Sequence, residues 1–229
     1  MSRARLALLP AVALVGLVAL TACSSSGDEP DSASSTQGGD KQVSPPAPKP
    51  ITKALTQADL TQAVLGDGEG LPGYTVHGTK EVTDGQYCGP AQDDSVPKGW
   101  VRGSDASYEY NGSTLNMADV HICLFGTAKD AHNAYLAWKG AEKSMEQPAK
   151  PPVGDESTLV INPGGSEDNV YGYSRSGKVV IRVQVDGNTG GDPSGARAML
   201  GATLTRLQQL QDGKPASATV AEEQAAAAK

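Results

Sequence analysis

Two tight-turn signals restrict the fold more than any other feature, because each stands beside a strand of alternating apolar residues. Asn111-Gly112 separates Ala106, Tyr108 and Tyr110 from a long apolar-rich run, Leu115 to Phe125. Ser176-Gly177 separates Val170 to Tyr173 from Val179, Ile181, Val183 and Val185. Turns of two such residues join antiparallel neighbours, and a period of two places each apolar set on one face of a sheet. The apolar set of 115–125 slips from Leu115 and Met117 to Val120, Ile122 and Leu124, which predicts a bulge near Ala118. Further strands are read over Tyr74 to Val82 and around Leu159 to Ile161.

Helices are announced by their ends. Thr56 and Asp59 have the spacing of a capping pair, Leu55 and Leu60 that of a hydrophobic staple, and Gly66 stops the segment. Thr127 and Asp130 open a second helix, read to about Met145, with Ala131, Ala134, Tyr135, Trp138 and Ala141 on one stripe. Asp192 and Pro193 open a third, in which Met199, Leu200, Thr203, Leu204, Leu207 and Leu210 share a face until Gly213. The order is α-βββα-βββα, and short connections make the class α+β, a twisted antiparallel sheet with packed helices. Residues 83–104 are read as a long polar loop holding Tyr87, Cys88 and Trp100. The single domain spans 51–213, and the Ala-rich tail 214–229 is either a frayed helix or disordered.

The chain opens with Arg3 and Arg5, an apolar run from Leu6 to Leu20, and small residues before Cys23. That arrangement describes a secretory signal peptide over 1–22, and the run is shorter than the roughly 20 residues of a membrane span. An uncleaved signal anchor is the alternative. From Ser24 to Pro50 the chain is rich in Ser, Gly, Asp, Gln and Pro, a composition that cannot bury enough surface to order itself. It reads as a tether with a reach of about 30 Å, ending in the extended spacer Pro45-Pro46-Ala47-Pro48-Lys49-Pro50.

Loss of the leader takes two cations from a chain of net charge −7, leaving −9. An acidic chain without a basic run excludes nucleic acid as a partner and gives anionic headgroups no direct attraction. With Cys23 set aside, Cys88 and Cys123 remain, and an even remainder in an oxidising compartment favours a disulfide between them. Two buried thiols are the alternative.

Leu20-Thr21-Ala22-Cys23 resembles the lipobox of bacterial lipoproteins, which implies a diacylglyceryl thioether on Cys23 and a place on the outer face of the cell membrane. Two acyl chains anchor stably where one holds only marginally. The helix at 57–65 followed by Leu71-Pro72-Gly73-Tyr74, the Cys88 loop, the Gly154-Asp155-Glu156 strand entry and the final helix resemble extracytoplasmic domains of actinobacterial lipoproteins. They are similar to the sensor domains of PknH-type receptor kinases, a family that usually carries four domain cysteines where this sequence has two. The resemblance implies a binding or sensing role and no catalysis.

Candidate chemistry is sparse. His77, His121 and His132 lack paired metal-ligand spacing, although Asp119 and His121 would project from one face of a strand. Asp186-Gly187-Asn188 and Asp192 imitate the start of a calcium loop, but Gly190 and Arg197 stand where ligands are needed. Nucleophile, phosphate-loop and dinucleotide motifs are missing from the sequence, and Asp155 with Glu156 reads as a solvated turn. No cofactor, metal or catalytic residue is assigned. Tyr87, Trp100, Tyr108 and Tyr110 gather in sequence around the Cys88 loop and suggest an aromatic groove for an unknown small molecule or envelope protein. Core packing of the same rings is the competing reading. The function expected is a lipid-anchored, non-enzymatic ligand-binding or sensor-type domain. Alternatives are a carrier of lipids or other apolar ligands, in a cavity lined by Leu115, Met117, Ile181 and Val183, or a protein-interaction adaptor.

Overall fold

The structure is a computed structural model that describes residues 49–90, 95–140, 145–164, 167–188 and 192–228. The leader, Cys23 and most of the tether lie outside the described residues. Seven strands form one antiparallel sheet: β1 (Tyr74–Thr83), β2 (Trp100–Tyr110), β3 (Ser113–Phe125), β4 (Met145–Pro148), β5 (Glu156–Gly164), β6 (Glu167–Ser176) and β7 (Val179–Asn188). Their order is β1-β2-β3-β7-β6-β5-β4, so β3 and β7 meet near the middle. Four helices, α1 (Gln57–Ala63), α2 (Ala128–Lys139), α3 (Ser194–Gln211) and α4 (Val220–Ala227), complete an α+β fold.

The order is thus α-βββα-ββββα-α, one strand and one helix more than the sequence suggests. Helix α2 stops at Lys139, and Met145 belongs to β4, a short edge strand held by its pairing with β5. Helix α4 is no frayed tail. Thr219 and Glu222 form a reciprocal capping box, Val220 is fully buried, and Val220 N–H donates to Glu69 O at 2.9 Å. Arg206, buried on α3, ties the same corner through Gln62 O, Ala218 O and the Glu69 carboxylate at 3.0 Å. The expected loop 83–104 is shortened from both sides, by β1 up to Thr83 and by β2 from Trp100, with a 3-10 turn at Gly85–Cys88 between them. Gly103 makes the early start of β2 possible. A Cβ there would lie 2.9 Å from Ile122 O and 2.9 Å from Thr83 Cβ.

Strand periodicity divides the interior into two layers. Val179, Ile181, Val183 and Val185 of β7, with Val120 and Ile122 of β3, face α1 and α3. Cys123, Phe125, Val160, Tyr171, Tyr173 and Val180 face α2, whose Ala131, Ala134, Tyr135 and Trp138 are buried, while Ala141 of the expected stripe lies outside the described residues. Both turn signals are hairpins, with Asn111 at φ 50° and Gly177 at φ 55°. Gly177 has a second reason to be glycine, because a Cβ there would sit 2.0 Å from Ile51 O. The bulge lies earlier than Ala118, where Glu109 faces Met117 but Tyr110 faces Ser113. It leaves Leu115 83% exposed.

Candidate functional site

The four aromatic residues around the Cys88 loop do not form one groove. Strand β2 carries Trp100 at its first position and Tyr110 at its last, so about 33 Å of extended chain separates them. A register shift between Trp100 and Arg102 turns Trp100 onto the α2 face, where it packs on the cluster around the disulfide. Tyr108 faces the other way and is 1% exposed, its hydroxyl donating to Leu65 O at 3.0 Å. Burial pushes its phenol well above the ordinary range. Tyr108 is therefore a core residue, and the reason is strand parity. Tyr87, 57% exposed, stays near Trp100 on the 3-10 turn, whereas Tyr110 tilts against Tyr74 at 5.3 Å at the far end of the sheet. Cys88 and Cys123 do pair, with Cα atoms 5.9 Å apart, and tie that turn to β3.

The carrier cavity expected along Leu115, Met117, Ile181 and Val183 is not formed by them. Ile181 and Val183 are packed beneath α3, while the bulge carries Leu115 into solvent.

A polar row crosses the α2 side of the sheet where Asp105, His121 and Arg182 stand in register on β2, β3 and β7. The Arg182 guanidinium lies 5.7 Å from the Trp138 ring centre and 5.2 Å from that of Tyr171, and Nη2 donates to Gln184 at 2.9 Å. Burial and then the neighbouring Arg182 hold the His121 imidazole below its ordinary pKa, against the pull of Asp105 and Asp119. His121 Nδ1 has no partner among the described residues. The other histidines are elsewhere, His77 on Glu109 and His132 on Glu156, each at 2.9 Å. Among the described residues no three His, Cys, Asp or Glu side chains gather as a metal site.

The sequence acids expected to be solvated form a network instead. Asp155 accepts from Gly177 N–H at 2.7 Å and from Arg175 at 3.1 Å, and Glu156 accepts from both Arg175 and His132. Burial pushes the Glu156 carboxyl up, but those hydrogen bonds outweigh it and hold the group below the usual range. Asp186 accepts from Gln184 Nε2, and Asp192 accepts from the Ser194 N–H and hydroxyl, both at 2.9 Å, so the calcium-loop imitation is spent on a strand contact and a helix start.

A concavity lies at the N-terminal end of α3, where no single stretch of sequence points to it. A groove of about 730 Å³ runs between Gln147, Pro148, Lys150 and Leu159 on one side, the first turn of α3 with Arg197 and Ala198 below, and Gln224, Ala227 and Ala228 of α4 on the other. A second hollow of about 460 Å³ shares Asp192, Ser194 and Gln224 with it and continues to Leu71, Pro72, Tyr74 and Tyr110. Each alone has the volume of an ordinary small-molecule site. Of the four aromatic residues proposed for a groove, Tyr110 alone borders them among the described residues. A smaller hollow of about 210 Å³ lies beside the Cys88 loop but is lined by Pro90, Pro97, Lys98 and α2 rather than by Tyr87 or Trp100.

The chain reaches the domain at the other end of α3. Gln208 Nε2 donates to Lys49 O at 2.9 Å, Gln211 holds Thr52 and Lys53, and Lys178 N–H donates to Ile51 O. With a rise of 1.5 Å per residue, about 20 Å of helix lies between that attachment and the groove.

No family model matches the chain, and no curated protein matches it. Among solved structures it is similar to the extracellular domain of PknH from Mycobacterium tuberculosis, at 12% sequence identity and a TM-score of 0.46, over 73% of this chain and all of that domain.

Proposed function

We propose that this chain is exported, lipidated on Cys23 and held at the outer face of the cell membrane, where residues from 51 onward act as a non-enzymatic ligand-binding domain. The observation that carries the binding role is the groove at the start of α3, open at the end of the helix opposite to the one where the chain runs on towards Cys23. The lipobox and leader support the address, as does a buried disulfide of the kind that oxidising compartments preserve. Among the described residues no helix is long and apolar enough to cross a membrane. All three histidines stand away from the groove, and its Ser194 hydroxyl is hydrogen-bonded to Asp192, which favours binding over nucleophilic chemistry there.

Mass spectrometry of small molecules retained by the protein from its native host tests the reading. A ligand should be retained by the wild type and lost from Gln224→Trp, which places an indole where both hollows meet. Retention unaffected by that substitution moves the site elsewhere. An adaptor role has one observation in its favour, exposed Val82, Tyr87, Val96 and Val101 at the disulfide end of the sheet.

A further inference from the structure

We propose that the groove takes an amphiphile with an anionic head, a phosphate or carboxylate, set against Lys150 and Arg197, and an alkyl chain laid along Pro148, Leu159, Ala198 and Ala227. The inference rests on the groove being the binding site and adds the class of ligand.

Charge supplies the first half. In a chain of net charge −7, two cations border this one hollow. Lys150 makes no hydrogen bond or ion pair among the described residues. Arg197 uses its Nε on Pro151 O at 3.1 Å, a neutral acceptor that leaves its charge uncompensated. The acid on the same wall, Asp192, accepts from the Ser194 N–H and hydroxyl, which direct its oxygens to the helix start; it keeps its charge, so the two cations outnumber it by one in the lining. Cations beside low-dielectric walls focus their field into the concavity and concentrate anions there.

Shape and composition supply the second half. The remaining walls are mostly proline, leucine and alanine side chains, with no aromatic ring in the larger hollow on which a nucleobase or sugar face could stack. A hollow of that lining suits a flexible apolar chain, and the adjoining hollow towards Leu71 and Pro72 gives the chain room to extend. A free inorganic anion would leave those walls facing water, whereas an alkyl tail covers them.

Calorimetric titration of the mature protein with octyl phosphate, octanol and inorganic phosphate tests this, the protein being in nanodiscs of uncharged lipid if it carries its anchor and free in solution otherwise. Octyl phosphate should bind at least about tenfold more tightly than either other probe, since each solvent-screened charge is worth a few-fold and there are two. Raising the salt from about 0.02 M to 0.5 M should narrow the gap over octanol, because the Debye length shrinks severalfold. Lys150→Gln, an exposed substitution that breaks no contact, should reduce octyl phosphate affinity about threefold and leave octanol unchanged, and adding Arg197→Gln should abolish the preference. Equal binding of octanol and octyl phosphate, both lost in Gln224→Trp, would keep the groove and overturn the anionic head. Inorganic phosphate binding as tightly as octyl phosphate would overturn the alkyl chain. Failure of all three probes would sink the ligand class, and retention of a native ligand by the wild type but not by Gln224→Trp would still uphold the groove itself.

Discussion

Reducing the Cys88–Cys123 bond should cost the domain about 4 kcal/mol. The two residues are 35 apart in sequence, so the bond closes a loop of about 36 residues in the unfolded chain. Loop-closure entropy of −2.1 − 1.5R ln n then comes to about −13 cal/mol/K, or about 3.8 kcal/mol at 25 °C. Both sulfurs are fully buried, so reduction also requires the two thiols to move apart to van der Waals contact inside the core, which adds to the loss. For a domain of this size the loss corresponds to a fall in Tm of about 8–15 °C. The assay is equilibrium urea unfolding followed by circular dichroism, with and without a phosphine reductant and with incubation long enough for the buried bond to exchange through the unfolded state. The midpoint should fall and the m-value should rise, because the reduced unfolded chain exposes more surface. A difference below about 1 kcal/mol would refute the entropic argument. It would mean that the unfolded chain keeps the Cys88 turn against β3 without help.

Two further outcomes follow from where the side chains lie. Trp100→Ala should destabilise the domain by about 2 kcal/mol, less than the 3–5 of a fully buried ring, and leave ligand retention unchanged because the groove is at the opposite end of β2; an unchanged Tm with lost retention would restore the loop as the binding site. His121 has its folded pKa depressed below 6.5, so the unfolded state takes up its proton first and stability falls as pH drops below about 6.5; His121→Phe should flatten the stability profile just below that pH, and an identical slope in both proteins would show that the imidazole is solvated.

What was legible in the sequence is what depends on neighbours in the chain. Strand β7 needs only its own alternation, and the Asn111-Gly112 and Ser176-Gly177 turns need only residues that tolerate positive φ. The starts of α1 and α2 are local too, since Thr56 and Thr127 each accept from the N–H three residues on. Strand β4 was invisible for the converse reason. Met145-Glu-Gln-Pro148 holds no β-branched or aromatic residue and is extended because β5 offers it an edge. The first half of β2, Arg102 to Asp105, is equally unpromising and is drawn into the sheet by β3, through a glycine whose missing side chain lets Thr83 and Ile122 approach. Helix α4 lacks an apolar stripe, and what fixes it is a capping box plus the single anchor Val220.

The site was less legible than the fold because its parts are non-local in every case. Lys150 follows an edge strand, Arg197 sits on the first turn of α3, and Gln224 and Ala227 come from the tail; only their packing makes a groove. The aromatic cluster was persuasive because Tyr87, Trp100, Tyr108 and Tyr110 are close in number, but a continuous strand spreads close numbers over the length of a sheet, and the register shift between Trp100 and Arg102 turns Trp100 to the face opposite Tyr108. The same geometry gives the domain a polarity. The disulfide, the Asp155-Arg175-Glu156-His132 network and the Ile51-Lys178 and Gln211 contacts lie at the end where the chain enters. Beside the groove, α4 is held by its capping box, by Val220 and by the Arg206 and Thr205 contacts, and the start of α3 by the Arg197 and Asp192 hydrogen bonds. Local opening costs least where such ties are fewest. Among the described residues the groove end is held by hydrogen bonds, an ion pair and packing alone, while the end where Ile51 meets the sheet also carries a covalent bond that local opening cannot release.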